Sequence, residues 1–267
     1  VLKSFDLKVL NMPPIGNEAP FTLFISDLHL CESRPHITEQ FVSFINNTAV
    51  NADALYILGD LFEYWAGDDD LEDIHHQTVI QALQHLGQHG VRCYLMHGNR
   101  DFLIGQHFSA AAKLEILKDP TQIDIYEHRV LLSHGDALCT DDVTYQDFRK
   151  QVRRSDWQST FLSQPLAARK AQIEALRMRS EQEKSGKTES IMDVNDAAVA
   201  ALLRQYQYPE IFIHGHTHRP AMHALEVDQH YIQRWVLGDW YEQGSCLLLD
   251  STGCKALDLN DASLNAP

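Results

Sequence analysis

Thr22–His29 reads TLFISDLH, an apolar run that stops on an acid and a histidine two residues apart. A short, continuous apolar run of this kind is the pattern of a strand buried on both faces. The arrangement recurs along the chain. Ala54–Leu58 runs into Gly59-Asp60, Arg92–His97 into Gly98-Asn99-Arg100-Asp101, Arg129–Ser133 into His134-Gly135-Asp136, and Glu210–His214 into Gly215-His216-Thr217-His218. Strands that end this way deliver their side chains to one edge of a sheet, where open α/β proteins place their sites. The donors are carboxylate, amide and imidazole, with no thiolate among them. Such a set suits a pair of divalent first-row ions such as Mn²⁺, Fe²⁺ or Zn²⁺.

Around these runs the chain alternates strand and helix. Helices are expected over Ile37–Ala49 and Leu71–His89, each followed by an apolar strand, as in βαβ units. After Lys118 the pattern changes to close strand pairs, Gln122–Tyr126 with Arg129–Leu132, and further strands are expected at Ile232–Leu237 and Ser245–Leu249. Two β regions flanked by helices predict two packed sheets. Residues 140–208 interrupt the alternation with a helix-rich stretch. There Trp157, Phe161, Leu162, Leu166, Ile173 and Leu176 recur near helical spacing. Pro165 cannot sit inside a helix and is expected to open a second one. The expected organisation is an irregular extension over 1–20 with a short strand at Asp6–Leu10, a core made of 21–139 and 209–267, and a helical cap insertion over 140–208.

With 267 residues and 44% hydrophobic content the chain can bury a large core. It has no apolar run long enough to cross a membrane and no charged segment leading into an apolar stretch near residue 1, which predicts a cytoplasmic protein. The valine at position 1 points to a trimmed or misassigned start. Five cysteines without a C-x-x-C pair read as reduced thiols. Outside the strand-end blocks, His97 and His214 read as core, and His75, His76, His85 and His89 as exposed helix residues. The net charge of −15 argues against broad nucleic-acid binding. Yet residues 149–187 hold ten basic and four acidic residues. A basic segment on an acidic protein calls for an anionic substrate, an anionic membrane surface or a solvated helix face.

The ordered blocks D-x-H, G-D, G-N-R-D, H-G-D and G-H-x-H resemble the calcineurin-like metallophosphoesterases. The stretches SDLHLCE, ALYILGDLFEYWAGDDD, HGNRDFLIG, SHGDALCTDD, SIMDVN and IHGHTHRPAMH are similar to the UDP-2,3-diacylglucosamine diphosphatase family of the lipid A pathway, over about residues 21–259. The resemblance implies an α/β fold, the four-layer α/β/β/α sandwich with a helical cap insertion. It implies two divalent ions, Mn²⁺ above all. Asp27, His29, Asp60 and His218 would hold the first; Asp60, Asn99, His134 and His216 would hold the second, with Asp60 bridging. Arg100 is the expected partner of the phosphoryl oxygens and acts with Asn99, while Asp101 and Asp136 hold ligands in place. Asp142, Ser180, Lys184, Lys187 and His216, with Asn99 and Arg100, are the implied substrate contacts. Lys184 departs from the small polar residue expected there. The implied substrate is UDP-2,3-diacylglucosamine, cut at the α-phosphorus to UMP and 2,3-diacylglucosamine 1-phosphate. The basic, amphipathic cap would meet the anionic inner leaflet, giving peripheral attachment to the inner membrane with no nucleic acid and no obligate protein partner. A metallophosphodiesterase or nucleotide diphosphatase with a soluble substrate would carry the same metal blocks. A scaffold without activity would ordinarily have lost ligands, and here all seven positions are filled.

Overall fold

A computed structural model describes residues 3–5, 19–184, 191–242 and 244–259, with side chains over 19–178, 191–242 and 244–259. In chain order the elements are β1 (Lys3–Phe5), β2 (Thr22–Ile25), α1 (Pro35–Asn47), β3 (Ala54–Leu58), α2 (Ile74–Gln88), β4 (Arg92–Met96), α3 (Gln106–Ala112), β5 (Glu115–Leu117), β6 (Thr121–Ile125), β7 (His128–Ser133), α4 (Val143–Val152), α5 (Ser155–Leu162), α6 (Leu166–Lys184), α7 (Asp196–Gln205), β8 (Ile211–His214), β9 (Ala221–Val227), β10 (His230–Val236), β11 (Ser245–Asp250) and β12 (Gly253–Asp258).

The strands form two six-stranded sheets, ordered β12-β11-β2-β3-β4-β5 and β1-β9-β10-β8-β7-β6. In the first, β2, β3, β4 and β5 run parallel, with Phe24 level with Tyr56 and Tyr56 with Tyr94. In the second, β8 is the parallel neighbour of both β7 and β10. Both faces of each central strand are covered, which explains the unbroken apolar runs. Leu23, Ile25, Leu55, Ile57 and Leu95 pack outward against α1, α2 and α3. Their alternate neighbours Phe24, Tyr56, Leu58 and Met96 face inward onto Val130, Leu132, Ile211, Ile213 and Trp235 of the second sheet. The outer face of that sheet, through Leu131, Phe212 and Ile232, is covered by Val199 and Leu203 of α7. The result is helix, sheet, sheet, helix, as expected.

Some expectations are revised by packing. α7 lies within the expected 140–208 insertion but serves as the outer layer of the sandwich. Pro165 does open α6, its carbonyl accepting from the Ala168 amide at 2.9 Å. β1 pairs antiparallel with β9 at Lys3–Phe5, while the strand expected at Asp6–Leu10 lies outside the described residues. His76 is buried, not exposed: its ring packs on Trp65 at 4.6 Å and Phe62 at 5.1 Å, and its Nδ1 lies 2.9 Å from the Asp70 carbonyl.

Candidate metal centre and substrate cavity

The ends of β2, β3, β4, β7 and β8 come together at the rim shared by the two sheets. What lets residues two apart face one point is backbone curl. Asp27, His29, Asp60, His216 and His218 all have positive φ, between 50° and 70°. Non-glycine residues pay of order 1 kcal/mol or more each for that conformation, which persists where surrounding contacts over-determine it. Those contacts are visible. The backbone stays paired beyond the strands, Asp27 N–H donating to Gly59 O at 3.1 Å and His29 N–H to Asp60 O at 2.9 Å. Gly59, at φ 93°, takes a conformation that only glycine adopts freely, and a Cβ there would lie 2.5 Å from His134 Nδ1.

Several of the donors are then aimed by a contact on their far side. Asp27 Oδ2 accepts from Ser26 Oγ–H at 2.5 Å and from the His216 amide at 2.8 Å. Its Oδ1 is buried, makes no hydrogen bond, and lies 3.4 Å from His218 Nε2. Asp60 Oδ1 accepts from the Arg100 amide at 2.8 Å, leaving Oδ2 at 3.8 Å from His29 Nε2 and 3.9 Å from His134 Nε2. His134 Nδ1–H donates to the Leu58 carbonyl at 2.8 Å, which fixes the tautomer and turns Nε2 inward. His218 Nδ1 is 3.0 Å from Asp239. Asn99 Oδ1 sits 3.0 Å from His134 Nε2 and 2.9 Å from His216 Nδ1.

At this rim two sets of donor atoms lie close enough to share an ion, Asp27 with His29 and His218, and Asp27 with Asp60 and His134; a third, Asp70 with Asp73 and His76, lies away from it. The electrostatics favour cations there. Burial pushes the Asp60 carboxyl up to about 7, with Asp101 and Asp27 adding to it and His134 opposing. A buried carboxylate crowded by others gains most from positive charge. Burial works against charge on His134 and His218, but the carboxylates win: Asp60, Asp27 and Asp136 hold His134 up at about 9, and Asp239 and Asp27 hold His218 up at about 10. His216, buried and beside His134, is pushed down to about 3.

All seven residues read from the sequence as ligands therefore meet at this rim. Asp101 spans the loops, its Oδ2 accepting from Leu61 N–H at 2.7 Å and its Oδ1 from Gly98 N–H at 2.8 Å. It braces the backbone beside Asp60 and Asn99, not an imidazole. Asp136 turns to α4 instead, accepting from Tyr145 O–H at 2.6 Å and Arg149 Nε–H at 2.8 Å. Asp142 caps α4 through the Tyr145 amide at 3.1 Å. The side chains of Ser180 and Lys184, and Lys187 altogether, lie outside the described residues. Asp239 and Glu63 escaped the sequence reading. Glu63 is a lone acid, although it stands three residues past Asp60, whereas Asp239 follows Gly238 at the end of the strand expected over Ile232–Leu237 and so repeats the Leu58-Gly59-Asp60 pattern, a signal that could have found it.

A cavity of about 560 Å³ opens from the rim, a size typical of small-molecule sites. Its polar end holds His29, Asp60, Asn99, Arg100, His216 and His218; its apolar end is walled by Phe102, Trp157, Phe161, Ile173 and Leu176. Of the apolar residues singled out in 140–208, Leu162 and Leu166 do not line it. The basic segment finds a partner that the sequence did not suggest, the acidic loop after β3. Arg169, buried on α6, donates to the Ala66 carbonyl at 2.6 Å and pairs with Asp69. Lys170 reaches Asp70 at 2.7 Å and Arg177 reaches Glu63 at 2.9 Å. Asp68 takes the other direction, accepting from the Trp65 indole at 3.0 Å and the Gly105 amide at 2.9 Å. The DDD run is thus a docking strip for α6 and for the start of α3.

A family model described as calcineurin-like phosphoesterase matches residues 22–220. Curated relatives named UDP-2,3-diacylglucosamine hydrolase are similar over nearly their whole length. The protein of Aromatoleum aromaticum is 53% identical over 231 residues, 86% of this chain and 94% of the relative. That of Aeromonas hydrophila is 50% identical over 85% of this chain and 93% of its own. That of Xanthomonas axonopodis pv. citri is 48% identical over 88% and 97%.

Proposed function

This chain belongs to the calcineurin-like phosphoesterase family, and from that premise we infer that it is a metal-dependent hydrolase that cleaves the diphosphate of UDP-2,3-diacylglucosamine in the lipid A pathway. The water enters at the α-phosphorus, giving UMP and 2,3-diacylglucosamine 1-phosphate. The observation that carries the reading is a cavity whose polar end holds His29, Asp60, Asn99, His216 and His218 and whose apolar end is walled by Phe102, Trp157, Phe161, Ile173 and Leu176. A soluble nucleotide would need the first and have no use for the second.

Asp27, His29, Asp60 and His218 hold one cation in this reading, and Asp60, Asn99, His134 and His216 the other. Mn²⁺ suits their carboxylate, amide and imidazole donors. Two such ions lower the pKa of a water and neutralise charge on the phosphoryl oxygens. The chain's own residues do the rest. Asn99 adds an oxygen donor without adding negative charge. Arg100 lies at the polar end of the cavity, where a guanidinium meets the charge that builds on phosphorus. Asp142 lies at the cavity wall near α4 and contacts the substrate in this reading; Ser180, Lys184 and Lys187, whose side chains lie outside the described residues, are the further substrate contacts that the sequence implies. Within the 140–208 insertion α4, α5 and α6 act as the cap, α7 belonging to the outer layer of the sandwich. Each acyl methylene buried against Trp157, Phe161, Ile173 or Leu176 contributes about 0.8 kcal/mol, so the chains dominate affinity.

The substrate resides in a bilayer, and no helix among the described residues is long and apolar enough to cross one. In this reading the protein attaches peripherally at the anionic inner leaflet, with the cap mouth facing the lipid. The deciding assay incubates pure protein and Mn²⁺ with UDP-2,3-diacylglucosamine and with its deacylated analogue, reading UMP. Turnover of the acylated compound at a kcat/KM at least about a hundredfold higher is expected from burial of only a few methylenes. Equal rates would favour a soluble diphosphate substrate.

A further inference from the structure

Glu63 is buried on the loop after β3, where a carboxylate is costly unless cations surround it. Three guanidiniums from distant parts of the chain do so. Arg34, at the start of α1, pairs with Oε2. Arg177 of α6 donates to Oε1 at 2.9 Å, and Arg100 Nη1 stands 3.8 Å from the same oxygen. Glu63 also faces the metal centre. His134 and His218 each turn their outer ring nitrogen to an acceptor, Leu58 O and Asp239. The corresponding nitrogen of His29, Nδ1, is buried and looks at Glu63 Oε2 across 3.7 Å.

We propose that Glu63 is a positioning residue that holds Arg100 and the His29 ring in place at the metal centre and, through Arg177, links their placement to the seating of α6. The inference rests on the hydrolytic reading of that centre. An arginine side chain loses about 2 kcal/mol of rotamer freedom when fixed, and catalytic groups must be held within a fraction of an ångström to be effective. Glu63 supplies a fixed acceptor for that purpose. Leu176, the neighbour of Arg177, lines the apolar end of the cavity. What fills that end therefore bears on the arm that grips Glu63, so the cap has a lever on the chemistry as well as on binding.

The test is Glu63→Gln in the wild-type and Arg100→Gln backgrounds, with kcat and KM for UDP-2,3-diacylglucosamine and calorimetric titration with Mn²⁺. In the wild-type background kcat should fall about 10- to 100-fold and Mn²⁺ binding weaken about tenfold, as for other groups that orient metal ligands, with KM moving less than about threefold. In the Arg100→Gln background the further loss of kcat should shrink below about threefold, because the two residues act as one unit. An equal fractional loss in both backgrounds, a rise in KM alone, or a lowered Tm with kcat and Mn²⁺ affinity intact would overturn the proposal. Should Glu63→Gln not fold, Arg177→Met removes only the arm from α6. It should lower kcat in the wild-type background and not in Arg100→Gln, and an unchanged kcat sinks the link. Absence of turnover by the wild type would count against the substrate, while the Mn²⁺ titration would still decide on Glu63.

Discussion

Gly98 lies so close to Asp60 that a Cβ at position 98 would fall 2.0 Å from Asp60 Oδ1 and 2.3 Å from its amide nitrogen. This contact is what allows the loops after β3 and β4 to pass side by side while Asp101 binds to both. Gly98→Ala must push Asp60 or the β4 loop aside, at a cost of about 1–3 kcal/mol for overpacking. Asp60 takes part in both proposed ion sites, so the displacement should weaken Mn²⁺ binding at least about tenfold, with a matching loss of kcat. Calorimetry on the variant reads the first and UMP release the second. Wild-type Mn²⁺ affinity would mean that the loop yields without moving the carboxylate.

The protonation of the cluster sets a second expectation. His134 is held up at about 9 and His218 at about 10, so both carry a proton at pH 7 in the metal-free protein. Ligation requires neutral rings. Loading with Mn²⁺ at pH 7 should release about two to three protons, two from the rings and a fraction from Asp60, measured by repeating the titration in buffers of different ionisation enthalpy, and affinity should fall as pH drops from 9 to 6. The stability of the metal-free protein runs the other way. Raised histidine values stabilise the fold fully below the unfolded value of about 6.5, and that contribution is lost as pH rises through about 9 to 10. The Tm of the metal-free form should therefore drop between pH 7 and 10 relative to the Mn²⁺-loaded form. Release of no protons would show that the rings are neutral before the ions arrive.

The ligands were legible because they are repeated: five apolar runs, each ending in donors, announce a sheet edge and its chemistry together. Asp239, after Leu237-Gly238, carries the same signal as Asp60 after Leu58-Gly59 and faces His218, whereas Glu63 was not legible, since a single acid outside the pattern looks like any surface acid until the fold sets it against His29. The basic segment shows the opposite failure. Its charge excess was plain, but counting charge cannot tell an external partner from an internal one, and Asp69, Asp70 and Glu63 lie about a hundred residues upstream of the cations they meet. Asn195, the last residue of the SIMDVN stretch that carries the resemblance, accepts from the Ala197 amide at 2.9 Å and caps α7.

Arg169 is the strongest of those internal contacts. It is buried against Ala66 O and Asp69, and Gly67 leaves room for it, since a Cβ there would lie 2.3 Å from Nη1. Arg169→Met keeps the apolar stem and removes the head. Asp69 is largely exposed and can be solvated once released, so the cost is mainly the bond to the buried carbonyl, about 1–2 kcal/mol, or roughly 2–8 °C in Tm for a chain of this size. The cavity wall formed by Ile173 and Leu176 should loosen with it, raising KM for the acylated substrate more than it lowers kcat. A variant with unchanged KM would place the acyl chains elsewhere than against α6.

With Arg169, Lys170 and Arg177 engaged inward, the proposed attachment to a bilayer would use what remains outward on α4 to α6. Phe148 and Leu176 line the cavity yet are 39% and 41% exposed, and Lys150 and Arg154 lie exposed nearby in the chain, in surface pairs with Asp147 and Asp156 that solvent screens and an anionic surface can replace. Apolar side chains at a cavity mouth, flanked by cations, are the combination that settles a protein on an anionic surface. Pure protein should therefore sediment with vesicles containing anionic phospholipid at low ionic strength. Raising the salt to about 0.5 M should release part of it, because screening removes the ionic share and leaves the apolar one. Phe148→Ser should release the protein at low salt while leaving hydrolysis of detergent-dispersed substrate within a fewfold of wild type. Wild-type protein that stays in the supernatant at low salt would show that the enzyme collects its substrate without resting on the membrane.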